Sequence, residues 1–285
     1  MPEGDTLFRT ARTLDRALRG KQLVRFETVL AQLSRVDDDA PIAGRTVEAV
    51  RSAGKHLLVE LSGDLVLRTH MRMQGSWHIY RPGDRWQRPR ASMRVVLETA
   101  DFQAVAFDVP VAEFRSGRAL KRDPALSTLG PDLLSDAFDV EAAVRRLRER
   151  GALGISEALL DQRALAGIGN VYKNEVCFVE GVHPFRTVAS LDEETLRRLV
   201  VTGRQLLARG AGAEQRFAEG ALRRTVPGTA PGARLWVYRR GGKPCRRCGT
   251  PIVREVRGLQ GRSSYYCPSC QTMPPTGARH AAEQK

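Results

Sequence analysis

Four cysteines and one proline are the residues of this chain whose types and spacing could do chemistry. Cys245-Arg-Arg-Cys248 is followed by eighteen residues and then Cys267-Pro-Ser-Cys270. Each C-x-x-C pair closes a tight turn that aims two sulfurs at one point, and two such pairs at this separation read as a four-thiolate zinc site, one ion per chain. Such a site is structural and serves to present other residues. The gap from Gly249 to Tyr266 suits a β-hairpin that brings the pairs together. From Trp236 to Gln271 eight Arg or Lys stand against a single acid, Glu255, so the hairpin is built to touch a polyanion. At the other end the chain opens Met-Pro-Glu-Gly-Asp. Pro2 is small, so removal of Met1 is expected, leaving a secondary amine that can attack an electrophilic carbon and form an iminium. An α-amino group titrates near about 7.7–8.0, which leaves some free base at neutral pH. Glu3 can then act as general acid or base. Taken alone the pair is weak, because many chains begin Met-Pro with a solvated acid beside it.

The bulk properties narrow the partner. The chain has 285 residues, a length that suggests about two domains, and 42% hydrophobic residues, enough to bury real cores. Its formal charge is +14, which implies a nucleic acid or another acidic surface. Only six of the 46 basic residues are Lys. Arg suits bidentate phosphate contact, although a GC-rich genome gives the same bias. Four of the five cysteines are in metal spacing, which argues for a reducing compartment. Cys177 lies in the apolar run Val176–Val179 and reads as a core thiol. No run of eighteen apolar residues predicts a membrane span, and no secretion signal is seen, so a cytoplasmic location is expected.

Those reactive residues need elements to position them. Residues 5–19 predict a helix with Leu7, Ala11, Leu14 and Leu18 on one face, Asp5 or Thr6 as cap and Gly20 as its end. Short alternating runs follow at Val47–Val50, Leu57–Leu61, Leu65–Thr69, Ser76–Tyr80, Met93–Glu98 and Ala104–Asp108, predicting a β-sandwich. Residues 116–138, with Pro124, Gly130 and Pro131, read as a connection. Helical periodicity returns at Val140–Arg150 and from Ile155. Ala166-Gly-Ile-Gly-Asn170 breaks that helix and starts another at Val171, a helix-turn-helix-like unit. Ser190 with Glu193 predicts a capping box for a helix through Leu207. Gly210–Gly232 reads as a mobile loop, and the tail after Gln271 as disordered. The fold class is therefore α+β and multidomain. It comprises an N-terminal β-sandwich domain with a leading helix (1–120), a linker (121–138), a helical domain (139–235), a zinc hairpin (236–271) and a tail (272–285).

Read together, these segments resemble the Fpg/Nei family of bifunctional DNA glycosylases. The resemblance is carried by Pro2-Glu3-Gly4, by Gly54-Lys55-His56-Leu57, by Leu160-Asp-Gln-Arg163 through Ala166-Gly-Ile-Gly-Asn-Val-Tyr-Lys-Asn-Glu175, and by the paired cysteines with Gly261-Arg262, in that order. It spans residues 2–271. Pro-Glu-Gly-Asp-Thr resembles the endonuclease VIII side, in particular the actinobacterial Nei2 branch. The resemblance implies a helix–two-turn–helix domain at 139–235. It also implies a bacterial, nucleoid-associated monomer acting on damaged duplex DNA without a membrane partner. Its reaction would be base excision through a Pro2 Schiff base, with Glu3 opening the sugar ring, then β,δ-elimination. Lys55 would contact the lesion's phosphate and sugar, Asn170 a phosphate at the start of the second helix, and Arg262 the phosphates beside the flipped nucleotide. Met73, from Met71-Arg72-Met73-Gln74, would fill the hole left by the flipped base, with Arg72 and Gln74 reading the orphaned partner. Arg246 and Arg247 read as general phosphate contacts or solvated charge.

Two departures bear on substrate. Where the Fpg side carries a Pro-Arg-Arg-Phe-type loop, this chain has Asp108-Val-Pro-Val-Ala-Glu-Phe114, which favours oxidised pyrimidines over 8-oxoguanine. Asp5-Thr6 stands where many members have Glu. The alternatives are a non-catalytic zinc-containing nucleic-acid-binding protein with an inert Pro2, and an N-terminal-proline enzyme for small carbonyls. The latter leaves the basic zinc segment unexplained.

Overall fold

The computed structural model describes residues 2–212, 223–228, 232–257 and 261–273. The readings placed on Met1, on most of Gly210–Gly232 and on the tail beyond Met273 lie outside the described residues. The chain divides into two compact units, Met1–Leu134 and Ser135–Lys285.

Unit 1 is two four-stranded antiparallel sheets with a leading helix. Helix α1 (Gly4–Leu18) precedes β1 (Arg25–Thr28), α2 (Ala31–Asp39), β2 (Val47–Ala53), β3 (His56–Leu61), β4 (Leu65–His70), β5 (Ser76–Tyr80), β6 (Met93–Glu98), β7 (Gln103–Phe107) and β8 (Val111–Ser116). The sheet orders are β1-β6-β7-β5 and β2-β3-β4-β8. Leu7, Ala11, Leu14 and Leu18 of α1 enter a core with Leu57, Val59 and Leu61 of β3 and Val95 and Leu97 of β6. The helix is also tied to an edge strand, since Asp15 Oδ1 accepts from the Val50 amide at 2.8 Å. Its N-cap is Glu3, not Asp5 or Thr6: the Glu3 backbone is extended and its carbonyl accepts from the Thr6 and Leu7 amides. The C-terminal end is as expected, with Gly20 at φ +75°.

Both sheets are covered on their outer faces too. Tyr80, Met93, Val96, Val105 and Phe107 pack under Trp86 of the β5–β6 connection. Leu58 and Val66 pack under Leu120 and Leu126. Those two leucines belong to short helices, α3 (Gly117–Arg122) and α4 (Pro124–Ser127), in the stretch expected to be a connection. The compact unit runs on to Leu134 and takes in Leu133, fully buried, and Asp132, which accepts from the Gly54 amide at 2.7 Å. Part of the expected linker therefore belongs to the first unit.

Unit 2 begins with α5 (Val140–Arg148), α6 (Ile155–Ala158), α7 (Asn170–Val179) and α8 (Glu193–Gly212) and ends in the hairpin β9 (Val253–Arg257) and β10 (Arg262–Tyr266). Asp139 caps α5 by accepting from Ala142 N. The expected Ser190–Glu193 box does not form. Asp192 caps α8 by accepting from Thr195 N at 2.7 Å, while Ser190 Oγ turns back to the Thr187 carbonyl. The nearer carboxylate is the stronger acceptor for an orphan amide at a helix start.

Candidate functional site

In unit 1, Pro2 is half-buried, with the N-cap residue Glu3 between it and the first turn of α1. Glu3 is 0% exposed. Burying a carboxylate is expensive unless it is compensated, so Glu3 is not the solvated terminal acid of the bland alternative. Asp5 is buried as well, and Arg9 lies 3.6 Å from it. The positive end of the fifteen-residue α1 faces this region and favours anionic groups. Lys55 is half-buried in the two-residue turn between β2 and β3, where Ala53 pairs with His56.

The 71–75 turn between β4 and β5 separates its two methionines. Met71 is 2% exposed and part of the core, whereas Met73 is 60% exposed between exposed Arg72 and Gln74. The turn is tight. Arg72 takes φ +48°, and Gly75 N donates to the Met71 carbonyl at 2.9 Å. A Cβ on Gly75 would stand 2.5 Å from that same oxygen, so only glycine fits. His70 Nδ1 accepts from the Arg72 amide at 3.1 Å. This role was not read from the sequence, because a histidine spaced for neither metal nor triad gives no local signal.

The three residues between β7 and β8 offer little to a ligand. Asp108 is ion-paired to Arg88 at 2.9 Å, Val109 is fully buried, and Pro110 is exposed.

In unit 2 the glycine-rich turn is shaped by Gln162. Its amide nitrogen donates to the Leu160 and Ile168 carbonyls at 2.9 and 3.0 Å, and its oxygen accepts from Gly167 N at 3.1 Å. Gly167 sits at φ +106°. This staple delivers Asn170 as the first residue of α7, with Gly169 in the cap position, so Asn170 is not the N-cap. Asn170 is 8% exposed, and its Oδ1 is a buried atom without a hydrogen-bond partner.

The rest of that motif anchors the hairpin. Glu175, fully buried, accepts from three consecutive amides, Trp236 N at 2.8 Å, Val237 N at 3.0 Å and Tyr238 N at 2.9 Å, and from the Thr225 hydroxyl. Asn174 Oδ1 accepts from Tyr265 N at 2.7 Å, and Lys173 Nζ lies 3.2 Å from Ser264 Oγ. The sequence showed these residues as a motif without showing what each one holds.

The four sulfurs of Cys245, Cys248, Cys267 and Cys270 lie within 4.8 Å of one another. Three of the pairs measure 3.9, 3.5 and 3.5 Å. A tetrahedron of thiolates about 2.3 Å from zinc has edges of about 3.8 Å, so the donor set fits the ion in type and size. Arg246 and Arg247 do something other than await phosphate. Arg247 donates to the Phe178 and Val179 carbonyls at the end of α7, both at 3.1 Å, and lies over the Phe178 ring. Arg246 donates to the Leu235 and Gly232 carbonyls. Late carbonyls of a helix are unsatisfied, and a guanidinium fork is suited to them. Arg262 is exposed at the start of β10 and pairs with Arg257 in the ladder.

With the geometry in hand, the likenesses to known proteins are specific. Residues 1–110 match the formamidopyrimidine-DNA glycosylase N-terminal domain, residues 129–218 its H2TH domain, and residues 242–272 the zinc finger found in FPG and IleRS. The chain is therefore a member of the Fpg/Nei family of DNA glycosylases and abasic-site lyases. Within it, the chain is 41% identical over 277 residues to the probable endonuclease 8 2 of Streptomyces coelicolor, covering 96% of this chain and 95% of that one. It is 39% identical over 272 residues to the DNA-(apurinic or apyrimidinic site) lyase Nei2 of Mycolicibacterium smegmatis, covering 95% and 99%. Among solved structures, Lactococcus lactis Fpg in complex with DNA containing N7-benzyl-Fapy-dG superposes with a TM-score of 0.80 at 24% identity, covering 95% of this chain and all of that one. That likeness concerns the fold.

Proposed function

We propose that the chain excises oxidised bases, chiefly pyrimidines, from duplex DNA and cleaves the resulting abasic site through a covalent Pro2 intermediate. The observation that carries this is the placement of a fully buried carboxylate, Glu3, next to Pro2 at the positive end of α1. After loss of Met1, the Pro2 nitrogen attacks C1′ and the bond from C1′ to the base breaks. Glu3 protonates the ring oxygen so that the deoxyribose opens and an iminium forms. The iminium acidifies C2′. Loss of a C2′ proton expels the 3′ phosphate, and a further elimination expels the 5′ phosphate. The proton lost from the proline nitrogen neutralises the departing base, and the nitrogen lone pair drives ring opening. C–H electron pairs drive the two eliminations, and water finally hydrolyses the imine to free Pro2, so the sequence of steps requires no oxidant.

The remaining residues bind and orient. Lys55 would hold the phosphate and sugar of the lesion. The side-chain NH₂ and the backbone N–H of Asn170, both donors, with Arg262 on the hairpin, would fix the backbone phosphates. Met73 would enter the space vacated by the flipped base, flanked by Arg72 and Gln74. The β7–β8 turn, with Asp108 paired and Val109 buried, supplies no second large side chain, which supports pyrimidine lesions as substrates. The four cysteines would hold one zinc ion, which supplies folding energy to the hairpin and no catalytic step. A monomer suffices for this chemistry.

Borohydride reduction tests the reading. Incubated with duplex DNA carrying thymine glycol, dihydrouracil or an abasic site, the protein should yield a covalent adduct mapping to Pro2. Pro2→Gly, which keeps a primary amine, should trap weakly. An adduct on Lys55, or mass spectrometry showing Met1 retained in active protein, would overturn the assignment. Binding without any adduct would favour the non-catalytic alternative.

A further inference from the structure

The turn carrying Met73 is held at its exit by a side chain from another part of unit 1. Arg88 lies in the long connection between β5 and β6. Its Nη1 donates to the Gln74 carbonyl at 3.3 Å and to Ser76 Oγ at 3.0 Å, and its Nη2 donates to the Asp108 carboxylate at 2.9 Å. One guanidinium thus joins the last exposed residue of the 71–75 turn, the first residue of β5 and the β7–β8 turn. Both ion-pair partners are largely withdrawn from water, at 29% and 28% exposure. Asp108 is itself fixed: it sits at φ +49°, its amide donates to the Ser92 carbonyl at 2.8 Å, and Arg94 approaches it at 3.8 Å. The loop that presents Arg88 is anchored as well, by Trp86 Nε1 on Gln103 Oε1 at 2.6 Å and Gln87 N on the Tyr80 hydroxyl at 3.1 Å.

A methionine has a flexible side chain, so an exposed one opens a base stack efficiently only from a backbone that does not yield. At the entry of the turn that backbone is held by His70, and at its exit by Arg88. We propose that Arg88 is a positioning residue for duplex opening: fixed by Asp108, its guanidinium holds the Gln74 carbonyl and thereby sets how Met73 enters the stack. This rests on the reading of Met73 as the wedge. A lone surface ion pair would contribute little. A planar fork bridging three segments acts differently, and an ammonium cannot replace it.

The test is a duplex with 2-aminopurine opposite the lesion, read by stopped-flow fluorescence, together with the ratio of borohydride trapping on duplex to trapping on a single-stranded abasic oligonucleotide. Arg88→Ala should slow the fluorescence rise and lower the trapping ratio by about tenfold, the loss expected for a charge-assisted hydrogen bond. Arg88→Lys should behave like Arg88→Ala. Met73→Ala tests the wedge separately. If Met73→Ala leaves the fluorescence unchanged, the wedge reading fails and this proposal with it. If Met73→Ala abolishes the rise while Arg88→Ala leaves both readouts at wild-type values, the wedge stands and the role of Arg88 is refuted. Thermal melting checks the fold. Should Arg88→Ala not fold, Asp108→Asn keeps the guanidinium but loosens its anchor. It should lower the same ratio a few-fold, and an unchanged ratio would equally overturn the proposal.

Discussion

His56 follows Lys55 directly and packs edge-on against His70, with ring centroids 4.9 Å apart. Its buried Nδ1 has no hydrogen-bond partner. Burial first, then the neighbouring charges of His70 and Arg68, push its pKa down to about 4. His70 is also lowered, by burial and then by Lys55, which keeps its Nδ1 free to accept the Arg72 amide. A lowered histidine binds its proton more weakly in the folded state than in the unfolded chain. Its contribution to stability is therefore complete above about pH 6.5 and is lost as the pH falls toward about 4, by up to about 3 kcal/mol for His56. Denaturant melts at pH 7 and pH 5 should show this loss, and His56→Phe should flatten it. An unchanged slope in that variant would assign the acid sensitivity elsewhere. Cys177 behaves differently. Burial pushes its thiol up to about 12, so an alkylating reagent at neutral pH should leave Cys177 unmodified until the protein unfolds.

Helix α7 is the element on which unit 2 depends. Every residue from Asn170 to Phe178 is buried, and Lys173, Asn174 and Glu175 turn to the hairpin segment rather than to solvent. Glu175 is the strongest case, since a buried carboxylate satisfied by three amides and a hydroxyl has no substitute of equal charge and shape. In Glu175→Gln one oxygen becomes an NH₂ that faces donors, leaving buried amides unpaired. We expect a loss of about 3 kcal/mol or more within unit 2. It would be measured as faster zinc release to a chelator and as a lowered transition reported by Trp236, which packs on Phe178 against the cluster that contains Cys245 and Cys267. Zinc release at the wild-type rate would show that the hairpin stands without this anchor. Asn174→Ala should act in the same direction but more weakly, because it removes one neutral acceptor.

At the scale of the whole molecule the dominant quantity is charge. A formal +14 implies that binding to DNA proceeds with release of counterions. If six or more phosphates are neutralised, affinity should fall on the order of a thousandfold between about 50 and 200 mM salt. Fluorescence anisotropy across that range checks it, and a flat response would argue against a phosphate-tracking surface. The basic residues do not all contribute alike. Arg246 and Arg247 are occupied by backbone carbonyls. Replacing them should therefore lower stability with little change in salt slope, whereas Arg262→Ala should reduce the slope by about one. With the four cysteines holding zinc as proposed, a chelator should abolish binding while leaving the melting of the sandwich unit largely intact. Among the described residues no helix is long and apolar enough to cross a membrane.

What could be read from the residues alone was whatever local spacing encodes. The α1 stripe from Leu7 to Leu18, six of the eight sandwich strands, the four-thiolate set and the glycine break before Asn170 all rest on periodicity or on ligand geometry, which need only neighbours in sequence. Strand β1 escaped because Arg25-Phe-Glu-Thr28 has a single apolar residue; ladder pairing with β6, a long-range contact, makes it a strand. Likewise α3 and α4 hide among prolines and glycines, and become necessary only once Leu58 and Val66 need a cover. The capping roles of Glu3 and Asp192, the separation of buried Met71 from exposed Met73, and the use of Arg247 on a helix end could not be read from spacing either. Each depends on which atoms are left without water after packing. That quantity exists only in the folded chain, because desolvation is set by every neighbour at once, whereas periodicity is set by the chain's own order.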